Sequence, residues 1–120
     1  MTLPSRLVQK LVFLAAALAI GWASLAPQQS RPQTGFWDGW EHLAAYCVLG
    51  LAGLVAWPAV RHSLPVLAAI VLYGVLLEVL QGFLPGRMPG IGDAVANTVG
   101  AGLAYGIFWV CRRIAVIRKS

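Results

Sequence analysis

The stretch LPVLAAIVLYGVLLEVLQGF, from Leu64 to Phe83, decides what kind of protein this is. It is apolar almost without interruption. At about 1.5 Å of rise per helical residue it is long enough to cross a hydrocarbon core of about 30 Å. Glu78 is the one charge in it, and Gln81 follows on the same helical face at i, i+3. A charge inside a bilayer costs roughly 2.5–3.5 kcal/mol even on the gentler insertion scales. Glu78 is therefore a functional-site candidate as soon as the stretch is read as a membrane span.

Outward from this stretch the pattern repeats. Further apolar segments of spanning length run from Leu7 to Ala26, from Glu41 to Val60 and from Ile91 to Cys111. The chain has 120 residues, of which 59% are hydrophobic and 11% charged, and its mean hydropathy is +0.76. That is too little polar material to cover a soluble globule, and no room remains for a separate soluble module. The expected fold is all-α, an integral membrane bundle of four transmembrane helices forming one domain.

The connections agree with that reading. Pro27 to Trp40 is rich in Pro, Gln, Gly and Trp and fits an interfacial loop anchored by Trp37 and Trp40. A short turn is expected around Arg61 and His62, and Leu84 to Gly90 reads as a turn held by prolines and glycines. Cys47 and Cys111 fall near opposite ends of their helices, so no disulfide is expected, and neither has a metal or redox spacing. The net charge of +5 does not point to nucleic acid, because the basic residues sit at the ends of apolar segments and not in a stripe among aromatics. They act as topology signals. With the N-terminus inside, Arg6, Lys10, Arg61, Arg112, Arg113, Arg118 and Lys119 fall on the inner face, leaving Arg31 and Arg87 outside. Both termini are expected in the cytoplasm. The first span has the basic start, apolar middle and small-residue end of a signal peptide, but Pro27 follows directly where cleavage would be most natural, and the span is expected to be retained.

In this topology all four acidic residues, Asp38, Glu41, Glu78 and Asp93, fall toward the outer side. If α-helical rise is counted from Leu64, Glu78 lies about 21 Å up and about 9 Å below the outer hydrocarbon boundary. Asp93, Asn97 and Gly100 recur at i, i+4 and i+7, and Asp38, His42 and Tyr46 are spaced four apart, with Glu41 beside His42. Helices joined by short turns pack side by side, so the three polar stripes are expected to face inward and meet. Arg87, in the turn between Glu78 and Asp93, has a planar fork that suits carboxylates and phosphates alike. It either locks one of those carboxylates in an ion pair or holds an anionic ligand. Gln81 and Asn97 are either ligand contacts or hydrogen-bonding glue between helices, worth about 0.6 kcal/mol per contact. Gly100, Gly102 and Gly106 read as close-packing positions, and Tyr46 as either an interfacial anchor or an inward hydrogen-bonding residue, its depth favouring the latter. A histidine beside carboxylates is the minimum for acid–base chemistry, and His42 has that company, although an interfacial histidine without such a duty has the same spacing. Metal binding by His42, Glu78 and Asp93 is possible by ligand type. With a single His and no second close ligand spacing, no metal and no other cofactor are expected.

Three motifs in order, Asp38-Gly-Trp-Glu-His42-x-x-x-Tyr46, Glu78-x-x-Gln81-x-Phe83-x-Pro85-x-Arg87 and Asp93-x-x-x-Asn97-x-x-Gly100, closely resemble those of VanZ-like membrane proteins. The match covers Asp38 to about Gly106. One departure is Met88-Pro-Gly-Ile-Gly, where relatives commonly carry a short polar stretch with an extra acidic residue. The resemblance implies a multi-pass protein of the bacterial inner membrane associated with the cell envelope, and its founding member is associated with reduced susceptibility to teicoplanin. Function then stands between several readings. In the first, an outward-facing polar pocket binds the head group of a membrane lipid, a lipid-linked envelope precursor or an amphiphilic glycopeptide antibiotic, through Asp38, His42, Tyr46, Glu78, Gln81, Arg87, Asp93 and Asn97. In the second, the chain is an enzyme, with Glu78, Asp93 and His42 as acid and base and Arg87 holding the anion. In the third, the cluster only fixes packing in an assembly protein, with a second copy or another membrane protein as partner. Proton-coupled transport is disfavoured, because no acidic residue serves the inner half of a pathway.

Overall fold

A helix that faces lipid must satisfy every backbone group internally, and this chain complies. The computed structural model describes residues 5–25, 38–84 and 91–119, which form the helices α1 (Ser5–Leu25), α2 (Asp38–Ala56), α3 (Val60–Gln81) and α4 (Ile91–Lys119). The chain is all-helical as expected. Helices α1, α3 and α4 are long and apolar enough to cross a membrane, whereas the apolar part of α2, Trp40–Ala56, is shorter. At 29 residues α4 is about 43 Å long, more than a hydrocarbon core of about 30 Å, so its basic last turns run on beyond the apolar stretch.

The second turn lies earlier than the sequence suggests. It spans Trp57 to Ala59, and Arg61 and His62 already belong to α3. The cause is Pro58, which pushes the residue before it out of the α region and so ends α2. Pro65 is accommodated inside α3, on an exposed face. Both cysteines are free.

Packing is inverted relative to a soluble bundle. Along α3 the buried residues are Ser63, Ile70, Gly74, Leu77, Glu78 and Gln81, a stripe at helical spacing that includes Glu78 and Gln81 near the end of the helix, while Leu72, Val75 and Val79 are exposed. An apolar exterior around a partly polar interior is what a hydrocarbon solvent selects. The core cluster joins Tyr46, Leu49, Ile70 and Ala101. Helices α2 and α4 form the most extensive contact, along a seam of small residues. A Cβ on Gly100 would collide with the Leu43 carbonyl oxygen, and one on Gly50 would lie 2.6 Å from the Ala104 methyl. Gly102 and Gly106 face the other way: a Cβ on either meets no described atom within 4 Å. Of the three glycines read as packing positions, Gly100 alone lies in the seam, since a step of two residues turns a helix through more than half a revolution.

One end of the bundle gathers basic residues. Arg6 Nη1 donates to the Val55 carbonyl at 2.8 Å, Arg112 Nη1 donates to the Pro58 carbonyl at 2.7 Å, and the Lys10 ammonium lies 5.5 Å from the Trp57 ring centroid. The start of α1, the α2–α3 turn and the later part of α4 thus share that end. The described acidic side chains, Glu41, Glu78 and Asp93, lie toward the other.

Candidate functional site

Each polar group of the site reaches it from a helix end. Glu78 is one turn before the end of α3, Asp93 is in the first turn of α4, where a carboxylate complements the helix dipole, and His42 is in the second turn of α2. The α2–α4 seam brings His42 against α4. His42 Nδ1 and Asn97 Oδ1 are 3.0 Å apart. The amide oxygen only accepts, so the imidazole donates from Nδ1, and Asn97, at 3% exposure, orients the ring. His42 Nε2 then points toward Asp93, with Oδ2 at 3.6 Å. Glu78 closes the group from α3. One ligand atom from each of His42, Glu78 and Asp93 lies within 4.8 Å of the others.

Glu78 is buried, with 8% exposure. A carboxylate oxygen of Glu78 and one of Asp93 lie within 4.8 Å of each other, close enough for two negative charges to repel appreciably. Tyr46 stands next to the cluster, almost fully buried; a Cβ on Gly74 would lie 3.0 Å from both its ring and the Asn97 amide nitrogen. Gly74 thus lets α3 approach closely enough for Glu78 to join.

Beside His42 opens a cleft of about 110 Å³ between α1 and α2, lined by Ile20, Ala23, Ser24, Glu41, His42, Ala45 and Tyr46. Its walls are mixed on both sides, with Ser24 among the α1 residues and Glu41, His42 and Tyr46 among those of α2. At about 30 Å³ per molecule it has the volume of roughly three to four waters or a small polar group.

The structure sorts the residues singled out by sequence. His42, Glu78, Asp93 and Asn97 converge from three helices, with Tyr46 adjacent. Gln81 is buried but turns to α1, where its Nε2 donates to the Ser24 carbonyl at 2.8 Å, and so ties α3 to α1. The Asp38 side chain and Arg87 lie outside the described residues. Sequence reasoning assigned α1 no part in the site, yet Ser24 is buried, receives Gln81 and lines the cleft. A single serine among alanines and leucines near the end of the first span was the only signal available for it.

The sequence model of VanZ/LLP1 matches residues 3–112, which cover α1, α2, α3 and most of α4. The chain belongs to the VanZ/LLP1 family. Comparison with curated proteins and with solved structures gives no match. As a VanZ/LLP1 member with three helices fit to span a bilayer, the chain is a small membrane protein.

Proposed function

We propose that this VanZ/LLP1 protein is a four-span protein of the bacterial cytoplasmic membrane, with both termini inside, and that its polar cluster binds the head group of a membrane lipid or lipid-linked cell-wall precursor. In this reading α2 is the fourth span, and the basic end of the bundle faces the cytoplasm. One observation carries the proposal: the polar side chains of His42, Glu78, Asp93 and Asn97 meet inside the bundle, beside a cleft between α1 and α2. Such groups are costly in hydrocarbon, and a ligand that shares their hydrogen bonds offsets that cost. The apolar exteriors of α1 and α2 leave the acyl chains in the bilayer while the head group enters. An amphiphilic glycopeptide antibiotic, with a polar body and a lipid tail, has the same division.

The contact between His42 and Asp93 also favours a second reading, acid–base catalysis on such a head group, in which Asp93 exchanges a proton with the substrate, His42 Nε2 orients the Asp93 carboxylate and Glu78 is the second carboxylate.

Native mass spectrometry of protein extracted in mild detergent tests both. Wild type is expected to retain a phosphate-bearing lipid, and the volume-preserving Glu78→Gln/Asp93→Asn variant to retain at least tenfold less while reaching the membrane at a similar level. Equal retention by both proteins sinks the head-group reading. Failure of the variant to accumulate assigns the cluster to packing. Catalysis requires, in addition, that Glu78→Gln abolish turnover of the retained lipid while binding persists.

A further inference from the structure

We infer that His42, Glu78 and Asp93 form a binding site for a divalent transition-metal ion, Mn²⁺ or Zn²⁺. Three helices that are distant in sequence deliver one imidazole nitrogen and two carboxylate oxygens to a volume in which each donor lies within 4.8 Å of the others. Metal–ligand bonds of about 2.0–2.2 Å put the donors of a tetrahedral site about 3.4 Å apart. His42 Nε2 and Asp93 Oδ2, at 3.6 Å, are already at that spacing. Closing the remainder needs side-chain movement of the order of 1 Å at Glu78.

An independent observation points the same way. Metal-bound histidines are oriented by a hydrogen bond from the other ring nitrogen. His42 has this arrangement: Asn97 Oδ1 accepts from Nδ1 at 3.0 Å, which fixes the tautomer and turns the Nε2 lone pair toward the two carboxylates. Without a proton or a metal ion on Nε2, a lone pair would face a carboxylate oxygen. One His with two carboxylates is a mixed donor set that suits Mn²⁺ and Zn²⁺ better than Mg²⁺ or Ca²⁺, which prefer oxygen alone. The adjoining cleft of about 110 Å³ leaves room for further ligands, water or an oxygen of an incoming group.

The use of the ion rests on the head-group reading, because a divalent cation with open positions would let an acidic cluster hold a phosphate. The ion's own binding does not rest on it. The test therefore measures the two separately. Detergent-purified wild type, stripped with EDTA and dialysed, is titrated with MnCl₂ and ZnCl₂ without added lipid. One ion per chain is expected, bound at least tenfold more tightly than Mg²⁺ and weakened at least tenfold by His42→Gln, Glu78→Gln or Asp93→Asn. The His62→Gln/Cys111→Ala variant removes donors elsewhere and is expected to bind like wild type. Pulsed electron paramagnetic resonance of the Mn²⁺-loaded wild type needs no variant to fold, and it is expected to show coupling to an imidazole nitrogen that the His42→Gln variant lacks. No bound ion, or an ion without nitrogen coupling, overturns the metal site. A bound ion with nitrogen coupling but no lipid retention keeps the metal site and overturns the head-group reading; lipid retained after EDTA in a protein that binds no ion does the reverse.

Discussion

His42 shows how one residue's role depends on the partner of each ring nitrogen. Nδ1 is held by Asn97 and Nε2 faces Asp93, so the ring is oriented before any ligand arrives. Replacing Asn97 by Ala leaves the partly buried Nδ1–H of His42 without its acceptor, at a cost of about 1 kcal/mol. The same change frees the ring. Asn97→Ala is accordingly expected to lower the midpoint of thermal unfolding in detergent and to weaken head-group retention together. Gln81→Leu removes only a tie to α1, worth about 0.6 kcal/mol on average, and is expected to leave retention near wild type. If Gln81→Leu abolishes retention while Asn97→Ala does not, the division between ligand cluster and helix glue is wrong.

At the scale of the element, the α2–α4 seam sets where the cluster lies. Gly100 sits one turn beyond Asn97, and its Cα hydrogen leaves just enough space for the Leu43 carbonyl, which belongs to α2 backbone and cannot rotate away. Gly100→Ala must push the helices apart, with an expected loss of about 1–3 kcal/mol and a looser His42–Asn97 contact. Gly102→Ala and Gly106→Ala add a methyl into open space and gain up to about 1 kcal/mol of helix propensity. They are expected to be neutral or stabilising. Chemical denaturation of the three single variants in one detergent checks the contrast, and equal losses at all three positions would contradict the seam. Spacing alone could mark all three glycines as small residues of a membrane helix but could not say which side of α4 meets α2.

For the whole molecule, the separation of charge along the bundle axis bears on orientation. Arg6, Lys10 and Arg112 meet at the end that holds the α2–α3 turn, and Glu78 and Asp93 lie toward the other. Basic residues near span ends are retained on the cytoplasmic side. A reporter active only outside the cell, such as alkaline phosphatase, is expected to be inactive when fused after Ser120 and active when inserted after Arg87. The opposite pattern would place the cluster on the cytoplasmic face and remove access from the outer leaflet. The structure adds a reason for the N-terminal and C-terminal helices to share a side, since both donate arginine hydrogen bonds to the same turn region, to Val55 and to Pro58.

Read alone, the sequence was sufficient for the helical class, the number of helices and their approximate limits, because hydropathy over some twenty residues is a local property that hydrocarbon enforces wherever the helix sits. It also marked Glu78, Asp93, His42 and Asn97, because a polar group in an apolar run stands out by its cost. The turn expected around Arg61 and His62 lies instead at Trp57 to Ala59, where Pro58 ends α2. Tertiary structure decided what no local pattern contains: that His42 meets Asn97 and Asp93 across a glycine seam, that Gln81 turns away to Ser24, and that three ligand atoms remote in the chain fall within 4.8 Å of one another. The rotation of each helix about its axis sets those contacts, and that rotation follows from how small residues let neighbouring backbones approach.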